Sequence, residues 1–513
     1  MKKFLSILLA AIMLLSLSSA ALAEEPVTLK VLVQLHELTK DPAEIGVFDQ
    51  IQEMTNTKFE WTVVRSGWNE KKATMLASGD LPDIILSKGI DDADIAQNPE
   101  YFVALNEYLE AGKMPNLSAV FAQEPGLKAA STQLDGNIYS VPSPSFFGGE
   151  SYGGFMINKV WLDKLGLEVP KTLADFKAAL IAFRDGDPNG NGVADEIPFD
   201  MYAPSLGSGY HYLNLLGCWG LTATNDQIGI TDDGQIVMAY TTDAFKKCVT
   251  YFADLWAENL INKESFTQDY TMFQANAQNP EVPLVGATPG WTIANRVGTQ
   301  WADQYVCAGP FEVGDGTPAY FPTLNTLSTN KAVITTNCQN IDAAVAVLDA
   351  CYNEQISVQL LLGSFGETME YVDGKYVMTA PTDGSDADRW KWINSIADNG
   401  AYFISRETHE NIELLPDYYA RLNESNYFAP YLRDSAVAIF PSAAKMSTED
   451  SSELALLNAD ILNYVNNRVA TWTTEGGIDG EWDEYLKQLE AMQVERVREI
   501  YQTSYDAYMA ASK

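Results

Sequence analysis

Histidine is scarce in this chain: His36, His211 and His409 stand far apart, with no His-Glu-x-x-His spacing among them. The zinc-hydrolase signature is therefore excluded. Cysteine is nearly as sparse. Cys218, Cys248, Cys307, Cys338 and Cys351 form no Cys-x-x-Cys pair, which excludes zinc ribbons and thioredoxin-like redox motifs. Buried free thiols are the expected state, with one disulfide left open. Positive charge is also short: 33 Lys and Arg face 69 Asp and Glu, for a formal charge of −36. Such a chain repels nucleic acid and anionic lipid, and a polyanionic substrate is disfavoured. Spread over the surface, the charge serves solubility. Beyond the N-terminus there is no apolar run long enough to cross a bilayer, no internal repeat and no low-complexity tract.

What is present begins with a leader. Lys2 and Lys3 precede an apolar stretch from Phe4 to Leu17, and Ala21-Leu22-Ala23 is a small-residue cleavage site. Residues 1–23 are read as a signal peptide and the product as secreted, without a lipobox cysteine. At 513 residues the chain exceeds one ordinary core and is expected to form two lobes.

The densest motif runs from Asp187 to Glu196: Asp-Pro-Asn-Gly-Asn-Gly-Val-Ala-Asp-Glu. It carries an oxygen-bearing side chain at every second position and ends on adjacent carboxylates. A hard dication such as Ca²⁺ takes six to eight oxygens from a loop of this kind. Asp187, Asn189, Asn191 and Asp195 would offer side chains, Val193 its carbonyl, and Glu196 would close the shell. Asp185 permits a second register with Glu196 twelfth, which fits less well. The alternative is a polar turn whose Asx side chains cap their own backbone.

Elsewhere the pattern is α/β. Val27 to Gln34 alternates as a strand does, Glu44 to Thr55 carries one apolar helical face, and Lys58 to Arg65 alternates again. A short helix from Asn69 to Ser78 and a strand from Asp83 to Leu86 follow. This is the start of an open α/β sheet, whose ligands sit beyond the carboxyl ends of the strands. Here those ends carry His36 to Thr39, Arg65 to Trp68 and Ser87 to Gly89. Asp135 to Pro142 reads as a hairpin with an exit strand, and the glycines and aromatics of Phe146 to Phe155 as the first crossing between lobes. Thr172 caps a helix from Leu173 to Arg184 that leads into the calcium loop. The stripe Trp482, Tyr485, Leu489, Val497, Ile500, Tyr501 and Tyr505 reads as core packing.

Ala77-Ser78-Gly79-Asp80-Leu81-Pro82-Asp83-Ile84 following Trp68, then Ile157-Asn158-Lys159-Val160-Trp161-Leu162-Asp163-Lys164-Leu165-Gly166-Leu167 and Val169-Pro170-Lys171-Thr172, resemble the extracellular solute-binding proteins (family 1) of bacterial carbohydrate ABC transporters. The alginate- and pectin-type members with a calcium loop are the nearest sub-group, and their ligand pattern carries over to Asp187, Asn189, Asn191, Val193, Asp195 and Glu196. The resemblance implies a two-lobed periplasmic-binding-protein-like α/β clamp with a hinge and a ligand cleft between lobes. It implies a non-enzymatic receptor that hands a sugar or oligosaccharide to a permease, with structural Ca²⁺. The N-terminal lobe is expected over 24–142 and 320–370. The C-terminal lobe is expected over 143–319 and 371–513, with the calcium loop at 185–196. A monomer is expected.

Sugars offer a C–H face to aromatic rings and a hydroxyl rim to polar groups. Aromatics near strand ends and crossings are the candidates: Trp68, Tyr139, Tyr152, Trp219, Trp291 and Tyr320. Trp291 is also where the resembled family places a cleft tryptophan. Trp390 and Trp392 have the spacing of one strand face in a polar context. A peptide receptor of the same architecture is the main alternative. A glycoside hydrolase is weaker, because no acid and nucleophile pair stands out.

Overall fold

The computed structural model describes residues 25–87, 89–144, 150–224, 226–324 and 327–511. The leader through Ala23 lies outside them. In chain order, β1 (Val27–Gln34), α1 (Gly46–Thr55), β2 (Thr57–Val64), α2 (Trp68–Ser78) and β3 (Ile84–Leu86) follow one another as the alternation predicts. β4 (Ser140–Pro144) leads out of this body and β5 (Gly154–Asn158) into the next. Then come α3 (Leu173–Asp185), β6 (Ile197–Phe199), the hairpin β7 (Ile228–Ile230) and β8 (Ile236–Met238), and α4 (Asp243–Ala257). α5 (Tyr270–Ala277), β9 (Val285–Gly290), α6 (Ile293–Val297) and β10 (Tyr305–Cys307) complete the second body's sheet region. The chain returns through β11 (Leu327–Ile334) and α7 (Ile341–Ala350). After β12 (Met369–Val372) and β13 (Lys375–Met378) come α8 (Ala387–Asn394) and β14 (Ile412–Glu413). α9 (Pro416–Phe428) then leads to α10 (Thr448–Glu475), α11 (Ile478–Ala491) and α12 (Val494–Ala511).

Two main sheets result, a five-stranded one in the order β2-β1-β3-β11-β4 and a four-stranded one in the order β10-β5-β9-β6. In the first, β1 lies parallel to β2 and β3, and β11 closes antiparallel to β3 and β4. Val31, Val33, Ile84 and Ile334 point from it into one core, with Phe48 and Ile51 of α1. The second sheet buries Phe155, Ile157, Phe199 and Ala287 with Phe176 and Phe183 of α3. That core also takes in Trp472, Trp482, Tyr485, Leu489, Val497, Ile500, Tyr501 and Tyr505. The C-terminal aromatic stripe is thus packing, as its helical spacing indicates.

The chain passes between the two cores three times, between β4 and β5, between Phe321 and β11, and along α9. The first two passages lie side by side: Tyr152 N–H donates to the Pro322 carbonyl (2.9 Å) and Leu324 N–H to that of Glu150 (2.7 Å). On α9, Tyr418 is buried in the first core and Phe428 in the second. The expectation that the N-terminal lobe ends at residue 370 is corrected here. Tyr376, Met378, Trp390, Tyr402, Ile412 and Tyr418 all pack in the first core, so residues 371–418 stay with it. Their pattern has no break at 370, and the ring of Phe365 lying parallel to that of Tyr376 (6.1 Å, 7°) ties the stretch back.

All five cysteines are free thiols, and only Cys307 is not fully buried. No helix among the described residues is long and apolar enough to cross a membrane.

Candidate functional site

The site is built where two strands of the second sheet end together. β5 and β9 run antiparallel with Gly154 opposite Gly290. Tyr152 precedes the one and Trp291 follows the other, so both rings leave the sheet at one edge. Glycine is required there. Gly153 has φ +67°, and a Cβ on it would stand 2.8 Å from the Gly290 carbonyl oxygen. Tyr152 packs on Gly209, where a Cβ would stand 3.0 Å from its hydroxyl. Beyond it Tyr210 lies near-parallel to Tyr270 (6.0 Å, 24°), and both rest on Phe273 (5.6 and 6.2 Å). Tyr270 is 42% exposed, which leaves this shelf an open ring face.

α9 lies behind the shelf. Tyr418, Arg421, Ser425 and Phe428 are buried along it at the spacing of one helical face. The Arg421 guanidinium sits 4.4 Å from the centre of the Trp291 ring. Its Nη2 donates to the Ser151 carbonyl (2.7 Å), and Ser151 N–H donates to Ser425 Oγ (3.1 Å). Glu424 accepts the Ile293 N–H (3.0 Å) at the start of α6. Burial pushes the Glu424 carboxyl up to about 7, against the downward pull of that N–H and of Arg421.

The facing wall comes from the first core. His36 follows β1, and its ring meets Trp392 of α8 (4.8 Å, 38°). Trp392 is held by its carbonyl, which accepts from Thr39 Oγ1 (2.7 Å). Lys391 is buried, paired with Asp388 (3.0 Å), and lies 5.4 Å from the Trp392 ring and 5.5 Å from that of Tyr418. The Asp388 charge reaches His36 on its own side and both Tyr270 and Arg421 on the other. One carboxylate thus acts on both groups of residues, and the gap between them is the candidate cleft.

Of the six aromatics picked from sequence, the structure brings Tyr152 and Trp291 together at this gap. Trp68 is half-buried at the start of α2, close against Gly89, where a Cβ would stand 2.9 Å from its ring. Tyr320 lies just before the second passage, 5.5 Å from the Arg433 guanidinium. Tyr139 is buried with its hydroxyl on Asp135 (2.7 Å). Trp219 packs on the second core beside Tyr251 (5.8 Å). The sequence reading missed Tyr210, Tyr270, Trp392 and Arg421. Trp390 and Trp392 belong to a helix, not a strand, so two positions apart they point to opposite sides. Trp390 goes to the core and Trp392 to the gap. The spacing 418, 421, 425, 428 was the signal available for α9.

The loop after α3 is a separate feature. Thr172 caps α3 in a full capping box with Asp175. Past its end, Asp187 Oδ1 accepts from Gly190 and Asn191 N–H (2.9 and 3.1 Å) and Oδ2 from Gly192 N–H (3.0 Å). Asn189 and Asn191 accept from the backbone two residues on and donate their amides to Asp195. That much is Asx-turn capping. Glu196 is different: both its carboxylate oxygens are buried without a well-formed hydrogen bond, and only the backbone N–H groups of Glu196 and Asn189 lie near enough to pull its pKa down. Burial raises its pKa, and the charges of Asp195 and Asp187 add to the rise. A hard cation is the partner that satisfies such a carboxylate. Among the described residues no three His, Cys, Asp or Glu side chains cluster closely enough to hold a metal, so any shell here depends on Asn189, Asn191 and the Val193 carbonyl. Asp185 is turned away onto Arg184 (2.7 Å).

No protein-family model matches the chain. It is 30% identical over 509 residues to the fructooligosaccharide ABC transporter substrate-binding protein FusA of Streptococcus pneumoniae serotype 4, covering 95% of this chain and 91% of the relative. The structure of that S. pneumoniae protein in complex with kestose superposes with a TM-score of 0.85 at 28% identity, over 94% of this chain and 100% of that one. A structure of its EF-hand mutant with fructo-nystose superposes equally well, with a TM-score of 0.85. The HMO-binding solute-binding protein associated with an ABC transporter of Bifidobacterium longum infantis gives a TM-score of 0.84 at 28% identity, over 94% and 99%.

Proposed function

From the premise that this chain belongs to the substrate-binding proteins of ABC transporters, we propose that it grips a neutral oligosaccharide between its two cores and hands it unchanged to a membrane permease. The observation that carries this reading is the pair of facing aromatic walls, Trp392 with His36 on one side and Trp291 with Tyr270 on the other. Sugar rings stack their C–H faces on such surfaces. The charges around them are engaged with each other or with backbone: Lys391 with Asp388, Arg421 with the Ser151 carbonyl. That arrangement suits hydroxyls better than a sugar carboxylate. The likeness to a fructooligosaccharide-binding relative points the same way. Ligand touching both walls favours the closed arrangement, so binding and closure are one equilibrium. Receptors of ABC importers work outside the cytoplasmic membrane, and a leader cleaved after Ala23 fits that place.

Calorimetry against a panel of kestose, milk oligosaccharides, galacturonate oligomers and peptides tests the reading, with chromatography of the recovered ligand. Binding heat from a neutral glycan, recovered intact, is expected. Heat from peptides alone, or cleavage of the glycan, would overturn it.

The loop after α3 is read as a structural calcium site in which Asp187, Asn189, Asn191, Asp195 and Glu196 with the Val193 carbonyl would close around the ion, the three carboxylates drawing nearer to one another than they stand here. The poorly bonded Glu196 carboxylate supports this, as does the existence of an EF-hand in the pneumococcal relative. When bound, the ion would supply charge neutralisation and tie α3 to β6; it takes no part in gripping sugar. A ligand present at about a hundred times its dissociation constant stabilises by about 2.7 kcal/mol. A chelator is therefore expected to lower the melting temperature and added Ca²⁺ to restore it, with Glu196→Gln abolishing the difference. Superimposable melts with and without chelator would remove the site.

A further inference from the structure

Arg421 is almost wholly buried, yet it lies beneath the most favourably placed ring of the cleft. It touches three things: the face of Trp291, the carbonyl of Ser151 (2.7 Å) and, more weakly, the Ser151 hydroxyl (3.3 Å). Ser151 is part of the first passage between the cores, paired with Thr323 of the second. One turn further along α9, Glu424 holds the N–H of Ile293, two residues past Trp291. Trp291 is thus fastened to α9 at two points, and α9 is itself the third passage. The Arg421 Nε is buried without a partner, so packing against the indole and the two Ser151 oxygens set the guanidinium plane.

We infer that Arg421 and Glu424 are positioning residues which couple the hinge to the sugar platform, turning Trp291 as the strand at Ser151 moves. This rests on the reading of Trp291 as a sugar-stacking ring. Neither side chain needs to reach the ligand. Arginine suits the role because its flat cation can lie on an indole and bond a carbonyl at once, which a lysine ammonium does not reproduce.

Glu424 makes the coupling sensitive to pH. The groups around it are Arg421 on the same helix, the Ile293 N–H of α6 and the Cys307 thiol of β10; Asp388 and Tyr418 act on Arg421 from the first core. Burial pushes the Cys307 thiol up to about 12, so it stays neutral. Arg421 keeps its charge through the neutral range. Glu424 is the group that changes near pH 7. Ionised, it balances Arg421 and accepts from Ile293; protonated, it loosens both.

The test uses the full mature chain labelled with 5-fluorotryptophan, the Trp291 ¹⁹F resonance being identified by its loss in Trp291→Phe. Without ligand, that resonance is expected to titrate with a midpoint near 7 in the wild type and to be flat between pH 6 and 8 in Glu424→Gln. Arg421→Met and Arg421→Lys are both expected to shift it, while the other tryptophan resonances confirm the fold. Kestose affinity is expected to fall at least ten-fold in Arg421→Met, and in the wild type to fall from pH 8 to pH 6. A Trp291 resonance indifferent to Arg421→Met and to pH would overturn the inference. A titrating Trp291 in a wild type that binds no glycan would keep the coupling and remove the sugar reading instead.

Discussion

Asp200→Ala is expected to destabilise the protein by about 3 to 5 kcal/mol, the usual result of stripping a buried cation of its partner. Arg296 is 1% exposed and Asp200 fully buried, with Nη2 donating to Oδ2 at 2.8 Å. The rest of the network is equally closed. Arg296 Nε donates to Thr288 Oγ1 (2.9 Å) and Nη1 to the Phe273 carbonyl (2.7 Å). Asp200 Oδ1 accepts from Asn262 (2.8 Å) and Gln268 (3.1 Å). An arginine does not shed its proton inside a protein, so loss of Asp200 leaves a charge with no route to neutrality. The Arg296 guanidinium also lies 3.5 Å from the centre of the Phe273 ring, which carries Tyr210 and Tyr270. The aromatic shelf of the cleft is therefore expected to loosen with it. Urea or thermal melts measure the first effect. The double change Asp200→Asn with Arg296→Met is expected to cost less than Asp200→Ala alone, since no buried charge remains. A loss under about 1 kcal/mol in the single variant would show that the pair contributes little.

Trp291→Ala is expected to weaken glycan binding by about 2 kcal/mol or more, roughly thirty-fold, as for a central aromatic anchor. The fold should survive, because the ring is only half-buried at a strand end. Trp291→Phe keeps a ring face and should retain most of the affinity. Trp219→Ala is the contrasting control: its ring packs on the second core beside Tyr251, so it should lower stability and leave affinity unchanged. Equal affinities for wild type and Trp291→Ala, measured calorimetrically, would take the sugar platform away from the β9 edge.

The elements from β1 to β3 in the first body, and α3 in the second, were legible to within a residue or two. Val27–Gln34 is a strand over the stretch that alternates, and α3 starts at Leu173 because Thr172 and Asp175 cap it within four residues. The Asx-rich loop from Asp187 to Glu196 could be read for the same reason, its oxygens lying within one ten-residue stretch. The cleft could be read only in part. Tyr152 and Trp291 stand out as aromatics at glycine-rich strand ends, and so did Trp219, which packs elsewhere.

Local hydrogen-bonding and side-chain period act over a few residues, and within that range this chain dictates its own structure: alternation for β1 and β2, a capping box for α3, an Asx-rich wrap for the loop. Which aromatic rings share a gap is a different matter. Trp392 reaches His36 across more than three hundred residues of chain, Arg421 reaches Ser151 across 270, and Arg296 reaches Asp200 across 96. No periodicity links such positions, and only the packing of two sheets and one crossing helix brings them together.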